Sequence, residues 1–421
     1  MDLLRNGRQR VVITGLGAIT ALGTAQSLWR NLLEAQSGIT RIETIPVEHV
    51  PVQIGGEVRG FDPAEYIDRK EARRMGRASH FAMAASQMAV EDAGLDQSDT
   101  QKEGERTAVV IGTSLGSHEM SEQATYKYKT SGYRKPNPLS LINALPNMPA
   151  HYVSRHFQAL GPLLTPSTAC AAGTQSIGHA TDFIRNGQAD IVIAGGVEAI
   201  LQDYTLAGFD AMRALATGFE DCPELASKPF DKNRSGFVFS EGCGIVVLES
   251  LHHAQKRGAR IYAEVLGHAS SSDAYHVAAL EPEGHGAARS MRWALDNAGI
   301  NPDAIDHINA HGTSTPANDL METNAIKRIF GEHAYELRVS STKSMLGHAL
   351  AASGAIEAVI GALTLNHKII PPTINLHTSD PQCDLDYVPH EARNVPALSR
   401  LMSNSFGLGG QNASLVLGSF S

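Results

Sequence analysis

Residues 165–174 read Thr165-Pro-Ser-Thr-Ala-Cys170-Ala-Ala-Gly-Thr174, and the apolar run Asp190-Ile-Val-Ile-Ala194 follows further along the chain. The first stretch is a hydroxyl-rich loop entering a run of small residues, which predicts a helix over 171–187. The second predicts a buried strand over 190–195. The same theme returns later, where Val339-Ser-Ser-Thr342 leads into Lys343 and a second small-residue helix expected over 347–366. In that helix Leu350, Ile356, Ile360 and Leu363 are spaced to form one apolar face. Working outward, further strands are expected at 10–14, 107–111, 244–249, 261–266, 305–309, 337–341 and 412–417, and further helices at 24–36, 77–94, 251–257, 287–298 and 317–330. Strands alternating with helices predict an α/β architecture. The charged segment from His252 to Arg260 is the best seam, dividing the chain into two related halves, 1–257 and 258–421.

Composition excludes several classes. The 421 residues are 42% hydrophobic and 19% charged, with 35 basic and 44 acidic side chains giving a net charge of −9. Such a chain buries a core and is neither disordered nor a dedicated nucleic-acid binder. Cys170, Cys222, Cys243 and Cys383 are far apart and form no CxxC pair. Neither a disulfide scaffold nor a zinc ribbon is indicated, and a reducing cytoplasm is the expected location. Val11 to Leu28 is uncharged and follows Arg5, Arg8 and Arg10, as in a signal sequence, but Gly15, Gly17 and Gly23 make it a poor apolar span. The uncharged stretch 158–181 is broken by Pro162, Pro166 and Gly173. Both read as protein core, and no membrane segment is expected.

Four segments can carry chemistry. At the start of its helix, Cys170 would meet unpaired backbone N–H groups and the positive end of the dipole, which lower a thiol pKa and hold an oxyanion. The alternative for Cys170 is a small buried apolar residue. Asn309-Ala-His311-Gly-Thr313-Ser-Thr315-Pro316 places an imidazole at a strand end, and Ser341-Thr-Lys343-Ser-Met-Leu-Gly347-His348 places a cation and a second imidazole at a turn. Either imidazole can donate to a developing negative charge or act as a base; the alternative is a surface or satisfied core histidine. Ser403-Asn-Ser-Phe406-Gly-Leu408-Gly-Gly410-Gln-Asn412 reads as a glycine-rich turn able to aim backbone N–H groups at an anion. Gly112-Thr-Ser114-Leu-Gly116 matches a hydrolase nucleophile elbow, but the polar stretch behind it does not suit a buried helix. Gly15-Leu-Gly17-Ala-Ile-Thr20 is only a partial dinucleotide fingerprint, and no P-loop or HExxH occurs.

Taken in order, these segments resemble the β-ketoacyl-acyl-carrier-protein synthases, with synthase II of dissociated fatty-acid synthesis the nearest branch. The resemblance runs nearly end to end. It rests on Val12-Ile-Thr-Gly-Leu-Gly17, Ser167-Thr-Ala-Cys170, Pro229-Phe-Asp-Lys232, Ser272-Asp-Ala-Tyr-His276, Asn309 to Pro316, Ser341 to Met345 with Gly347-His348, and Asn404-Ser-Phe-Gly407. It implies the thiolase fold, a five-layered αβαβα stack of two pseudo-duplicated halves, and a homodimer. The implied reaction is a decarboxylative Claisen condensation: Cys170 takes an acyl chain from acyl carrier protein, and malonyl-carrier protein loses CO2 and attacks that thioester. His311 and His348 would hold the enolate. Lys343, paired with Glu357, would balance charge. The backbone N–H groups of Cys170 and Leu408 would form an oxyanion hole beside Phe406.

The resemblance further implies that Thr313 and Thr315 contact the pantetheine arm, that Leu115 and Leu408 line the acyl pocket, and that Lys70, Arg73, Arg74 and Arg213 dock the acidic carrier. Arg77 joins the basic cluster from Arg69 onward. No cofactor is expected beyond the phosphopantetheine that arrives on the carrier. Some members hold a structural monovalent cation, for which Asn309, Glu357, Ser403 and Asn404 are the candidate positions. Three departures stand out: Leu408 where the family has a gating aromatic, Ala278 where it often has a hydroxyl, and Ser235 where it usually has aspartate. Two alternatives use the same residues or lose them: a condensing subunit of a specialised polyketide or polyene pathway, and a non-catalytic chain-length partner, which typically lacks the nucleophile.

Overall fold

A computed structural model describes residues 3–5, 7–132, 135 and 137–420. Ten strands define its central path: β1 Val11–Thr20, β2 Thr107–Gly112, β3 Leu163–Leu164, β4 Ile191–Glu198, β5 Gly242–Ser250, β6 Ala263–Ser272, β7 His307–Asn309, β8 Arg338–Ser340, β9 Arg400–Gly407 and β10 Gln411–Gly418. The helices of eight residues or more are α1 Ala25–Leu33, α2 Arg77–Asp92, α3 His118–Ser131, α4 Met148–Phe157, α5 Ala172–Arg185, α6 Asp203–Ala211, α7 His285–Ala298, α8 Pro316–Phe330 and α9 Ser353–His367.

One topology is used twice. The strands lie in the order β1-β5-β4-β2-β3 in the first half and β6-β10-β9-β7-β8 in the second, which is 1-5-4-2-3 both times. In each half strand 5 runs antiparallel to strands 1 and 4, while 4, 2 and 3 are parallel. The first strands of the halves pair antiparallel, with Ile13 opposite Ala263, so the two sheets are continuous. Helices make the remaining layers. α2 covers β1 and β5, and α7 covers β6 and β10. Between the sheets lie α5 and α9: α5 touches β2 and β4 of one half and β6 and β10 of the other, and α9 touches β4, β5 and β9. The fold is the five-layered thiolase arrangement.

The expected strands and helices are found, with corrections at several places. The last helix begins at Ser353, not 347, because Gly347 at φ +72 ends one turn and Leu350–Ala352 forms a 3-10 turn. It has no single apolar face; every residue from Ser353 to Leu365 is buried, as a helix packed between two sheets requires. Ser403 to Asn412 is not one long turn. Arg400–Gly407 is a buried strand and only residues 408–410 turn. The polar stretch after Gly116 is the exposed helix α3, and α4 and α6 were not legible either. Among the described residues no helix is long and apolar enough to cross a membrane.

Close approach of α5 and α9 depends on small residues. A Cβ at Gly173 would lie 2.6 Å from the Ala351 carbonyl oxygen and 2.8 Å from Ala355 N. Those are backbone atoms, so neither can yield without moving a helix. Gly173→Ala is therefore expected to destabilise the chain by about 1–3 kcal/mol. Gly208→Ala, on exposed α6 with nothing within 4 Å of its added carbon, is expected to be neutral or stabilising by about 0.5–1 kcal/mol. Denaturant unfolding of the two variants measures both, and equal stabilities would contradict the packing argument.

Candidate active site

Cys170 lies in the 3-10 turn Ala169–Ala171, immediately before α5. Ala169 has φ +49, a strained conformation for a residue with a side chain, and it turns the cysteine toward the second half. His348 and Lys343 precede α9, the helix equivalent to α5, and His311 follows β7. The duplicated topology therefore carries all four to one place. His348 Nε2 is 3.1 Å from Cys170 Sγ. The His311 and His348 rings lie 5.2 Å apart, edge to face. Phe406 packs 5.8 Å from His311, and Phe237 packs 5.4 Å from His348.

Burial governs the electrostatics. Cys170 is 4% exposed, His311 2% and His348 3%. Desolvation, with Lys343 nearby, holds both imidazoles well below their usual range, so they are neutral near pH 7. Burial also pushes the Cys170 thiol up to about 12; the Leu408 and Cys170 N–H groups, which donate to it, and the Lys343 charge only partly oppose this. The expected lowering by the helix end is thus overridden. The resting sulfur is a thiol held by the donors that suit a thiolate.

Buried carboxylates support this centre. Lys343 Nζ donates to Glu357 Oε1, and burial raises Glu357 to about 7 against the pull of Lys343. Glu322 accepts the N–H groups of His311 and Gly312, each at 2.8 Å, which clamps the His311 turn. Burial raises it to about 7 as well. Glu198 accepts from Thr113 Oγ1 at 3.1 Å and from Ser114 N at 2.9 Å, fixing the loop after β2. Sequence reasoning missed Glu322, Glu198 and Ser353, whose hydroxyl lies 3.0 Å from His348 Nδ1. An acid among the apolar positions of α8, beside Met321, Ala325 and Ile326, was the available signal for Glu322.

The remaining candidates divide. Thr313 and Thr315 stand together, 3.0 Å between hydroxyls, across Ser314 at φ +70. The Leu408 N–H reaches the sulfur because Gly407 allows it: a Cβ there would lie 3.1 Å from Cys170 N. Leu115 is 41% exposed on this single chain and not enclosed. Lys70, Arg73, Arg74 and Arg213 are exposed, but Arg77 is not part of a free basic patch, since its guanidinium is paired with Glu241 at 2.6 Å. Of the candidate cation positions, Asn309 donates to Ser403 Oγ at 2.9 Å. Glu357 Oε2 is buried without a hydrogen-bond partner, which fits a monovalent cation held by Asn309, Ser403 and Glu357. Asn404 is turned to the opposite face of β9, where it meets Ser414 at 2.9 Å and Glu322 at 3.4 Å.

Residues 8–254 match the family described as Beta-ketoacyl synthase, N-terminal domain, and residues 262–377 match Beta-ketoacyl synthase, C-terminal domain. The chain is 45% identical over 410 residues to 3-oxoacyl-[acyl-carrier-protein] synthase 2 of Synechocystis sp., covering 97% of this chain and 98% of that protein. It is 46% identical over 413 residues to the protein of the same name from Staphylococcus aureus, covering 98% and 99%. Among solved structures, the ishigamide ketosynthase/chain length factor superposes with a TM-score of 0.91 at 38% identity, over 98% of this chain and 100% of that one. A type II PKS ketosynthase in complex with its acyl-carrier protein gives a TM-score of 0.90 at 35% identity, over the same shares.

A thiol raised to about 12 has a thiolate population that falls tenfold for each pH unit below that value. Iodoacetamide alkylation of Cys170 is therefore expected to climb about tenfold per unit from pH 7 to 10. A plateau near pH 8.5 in the folded protein would contradict the burial argument.

Proposed function

The chain belongs to the β-ketoacyl synthase family, and from that premise we propose that it is a condensing acyltransferase of fatty-acid elongation. It joins malonyl-carrier protein to an enzyme-bound acyl group and yields a β-ketoacyl-carrier protein two carbons longer. The observation that carries this reading is the convergence of the Cys170 thiol, two neutral imidazoles and two backbone N–H donors at one buried point.

In the first step Cys170 Sγ attacks the carrier thioester. A carbon–sulfur bond forms to Cys170 as the bond to the pantetheine sulfur breaks, and the thiol proton ends on the departing pantetheine thiol. Splitting the condensation this way replaces one difficult step by two easier ones. In the second, malonyl thioester loses CO2 and the electron pair of the broken carbon–carbon bond passes into an enolate. Neutral His311 and His348 donate to its oxygen, where donors fixed in a dry site act most strongly. Lys343, neutralised by Glu357, favours the anion without presenting an unpaired buried charge. In the third, the enolate carbon attacks the acyl-Cys170 carbonyl. Its oxygen becomes an oxyanion held by the Cys170 and Leu408 N–H groups, and collapse expels the Cys170 thiolate, which takes a proton from solvent.

Thr313 and Thr315 would bind the pantetheine arm. Lys70, Arg73, Arg74 and Arg213 would attract an acidic carrier to an otherwise acidic protein; the relative solved with its carrier protein supports that partner. A homodimer is supported by the open sheet edge at β3 and by exposed Leu139, Leu141, Ile142, Leu160 and Leu163 on the same half. Cytoplasmic residence accords with four free cysteines. Likeness to a type II PKS ketosynthase at 35% identity keeps a polyketide or polyene product as the second reading, and product length separates the two. Retention of Cys170 argues against a silent chain-length partner.

Two results test this reading. His311→Ala is expected to lower malonyl decarboxylation about 10²–10³-fold while Cys170 still takes up the acyl group; loss of uptake with unchanged decarboxylation would overturn the roles given. Arg73→Glu with Arg74→Glu is expected to raise KM for the carrier protein about tenfold with kcat nearly unchanged, more so at low salt. An unchanged KM would move docking elsewhere.

A further inference from the structure

Ser353, the first residue of α9, is buried and makes two hydrogen-bond contacts through its Oγ among the described residues. The Ala349 N–H donates to that oxygen at 3.0 Å, and His348 Nδ1 lies 3.0 Å from it. A hydroxyl has a single proton to give. With Ala349 on its accepting side, the neighbour left to receive that proton is His348 Nδ1. A ring nitrogen that accepts carries no proton, so the proton of a neutral imidazole resides on the other nitrogen. That nitrogen, Nε2, is the one facing Cys170 Sγ.

We propose that Ser353 is the positioning residue that locks His348 in its Nε2–H tautomer, so that the imidazole presents a donor and never an acceptor to the reacting atoms. The inference rests on the condensing reading and deepens it. With Nε2 protonated, His348 does not take the Cys170 proton. It stabilises first the nucleophilic sulfur and then the enolate oxygen. One serine thereby assigns the imidazole its electrostatic role in both steps. The burial that keeps His348 neutral makes the tautomer, not the charge, the property to be set.

The test uses the full chain labelled with 15N-histidine. The spectrum of the unaltered protein is expected to show the His348 proton on Nε2. In Ser353→Ala that proton is expected to distribute between the two nitrogens, and Ser353→Thr, which keeps the hydroxyl, is expected to restore Nε2–H. In decarboxylation of malonyl-carrier protein, Ser353→Ala is expected to lower kcat about three- to tenfold with KM unchanged, the size of one lost neutral hydrogen bond, and Ser353→Thr to recover it. A proton on Nδ1 in the unaltered protein overturns the proposal, as does a Ser353→Ala variant with unaltered kcat. If Ser353→Ala does not fold, the spectrum of the unaltered chain still decides. If the unaltered chain condenses nothing, the condensing reading falls while the spectrum continues to judge the tautomer.

Discussion

The contact between α5 and α9 is the constraint on which the rest depends. These two helices occupy equivalent places in the two halves, and each is preceded by a turn bearing reactive groups. Bringing the helices together brings Cys170 to His348. Their approach is set by residues without bulk. A Cβ on Gly354 would lie 2.1 Å from Thr174 Oγ1, just as one on Gly173 would strike the α9 backbone. The hydroxyls that remain are used: Thr174 Oγ1 and Ser405 Oγ are 2.8 Å apart, tying α5 to β9 directly behind the Leu408 turn. Packing at the centre of the molecule and geometry at the sulfur are one problem solved once.

Desolvation then sets the chemistry. Enclosing a thiol, two imidazoles, an ammonium and several carboxylates between two sheets is unfavourable unless each group is neutral or partnered. The imidazoles respond by losing charge and the thiol by keeping its proton. Lys343 and Glu357 respond by pairing, and Glu322 by accepting two backbone N–H groups. The outcome is a dry site with fixed donors around the sulfur and the space beside it. Such donors need little reorganisation when an anion forms. Backbone strain at Ala169, Ser314 and Leu350, each at positive φ beside a site residue, is held by the same packing.

Much of this was legible in the sequence. The principal strands are apolar runs buried on both faces, so β1, β2, β4 and β5 announce themselves. Cys170, His311, Lys343 and His348 stood out because each follows a strand and meets small residues or glycine. Other features depended on distant partners. Ser403, Asn404 and Ser405 read as a turn because they are polar, yet they lie in buried β9, satisfied by Asn309, Ser414 and Thr174 from other elements. Helix α3 lacks an apolar stripe, since most of it is exposed and its one buried residue is Glu119. Acids such as Glu322 and Glu198 resemble surface charges until the backbone donors that surround them are known. The thiol pKa was misjudged for a related reason: the helix end is local and visible in sequence, whereas burial comes from the whole fold.

The central claim is that one buried centre both accepts an acyl chain on Cys170 and joins it to a decarboxylated malonyl unit. Its most direct test is intact-protein and product mass spectrometry of the unaltered chain given acyl-carrier proteins of increasing chain length, followed by malonyl-carrier protein. The account predicts an acyl adduct that maps to Cys170, then disappears as a carrier-bound β-ketoacyl product two carbons longer accumulates with loss of CO2. Folded protein that forms no adduct with any chain length, or an adduct on another residue that proceeds to product, would contradict it.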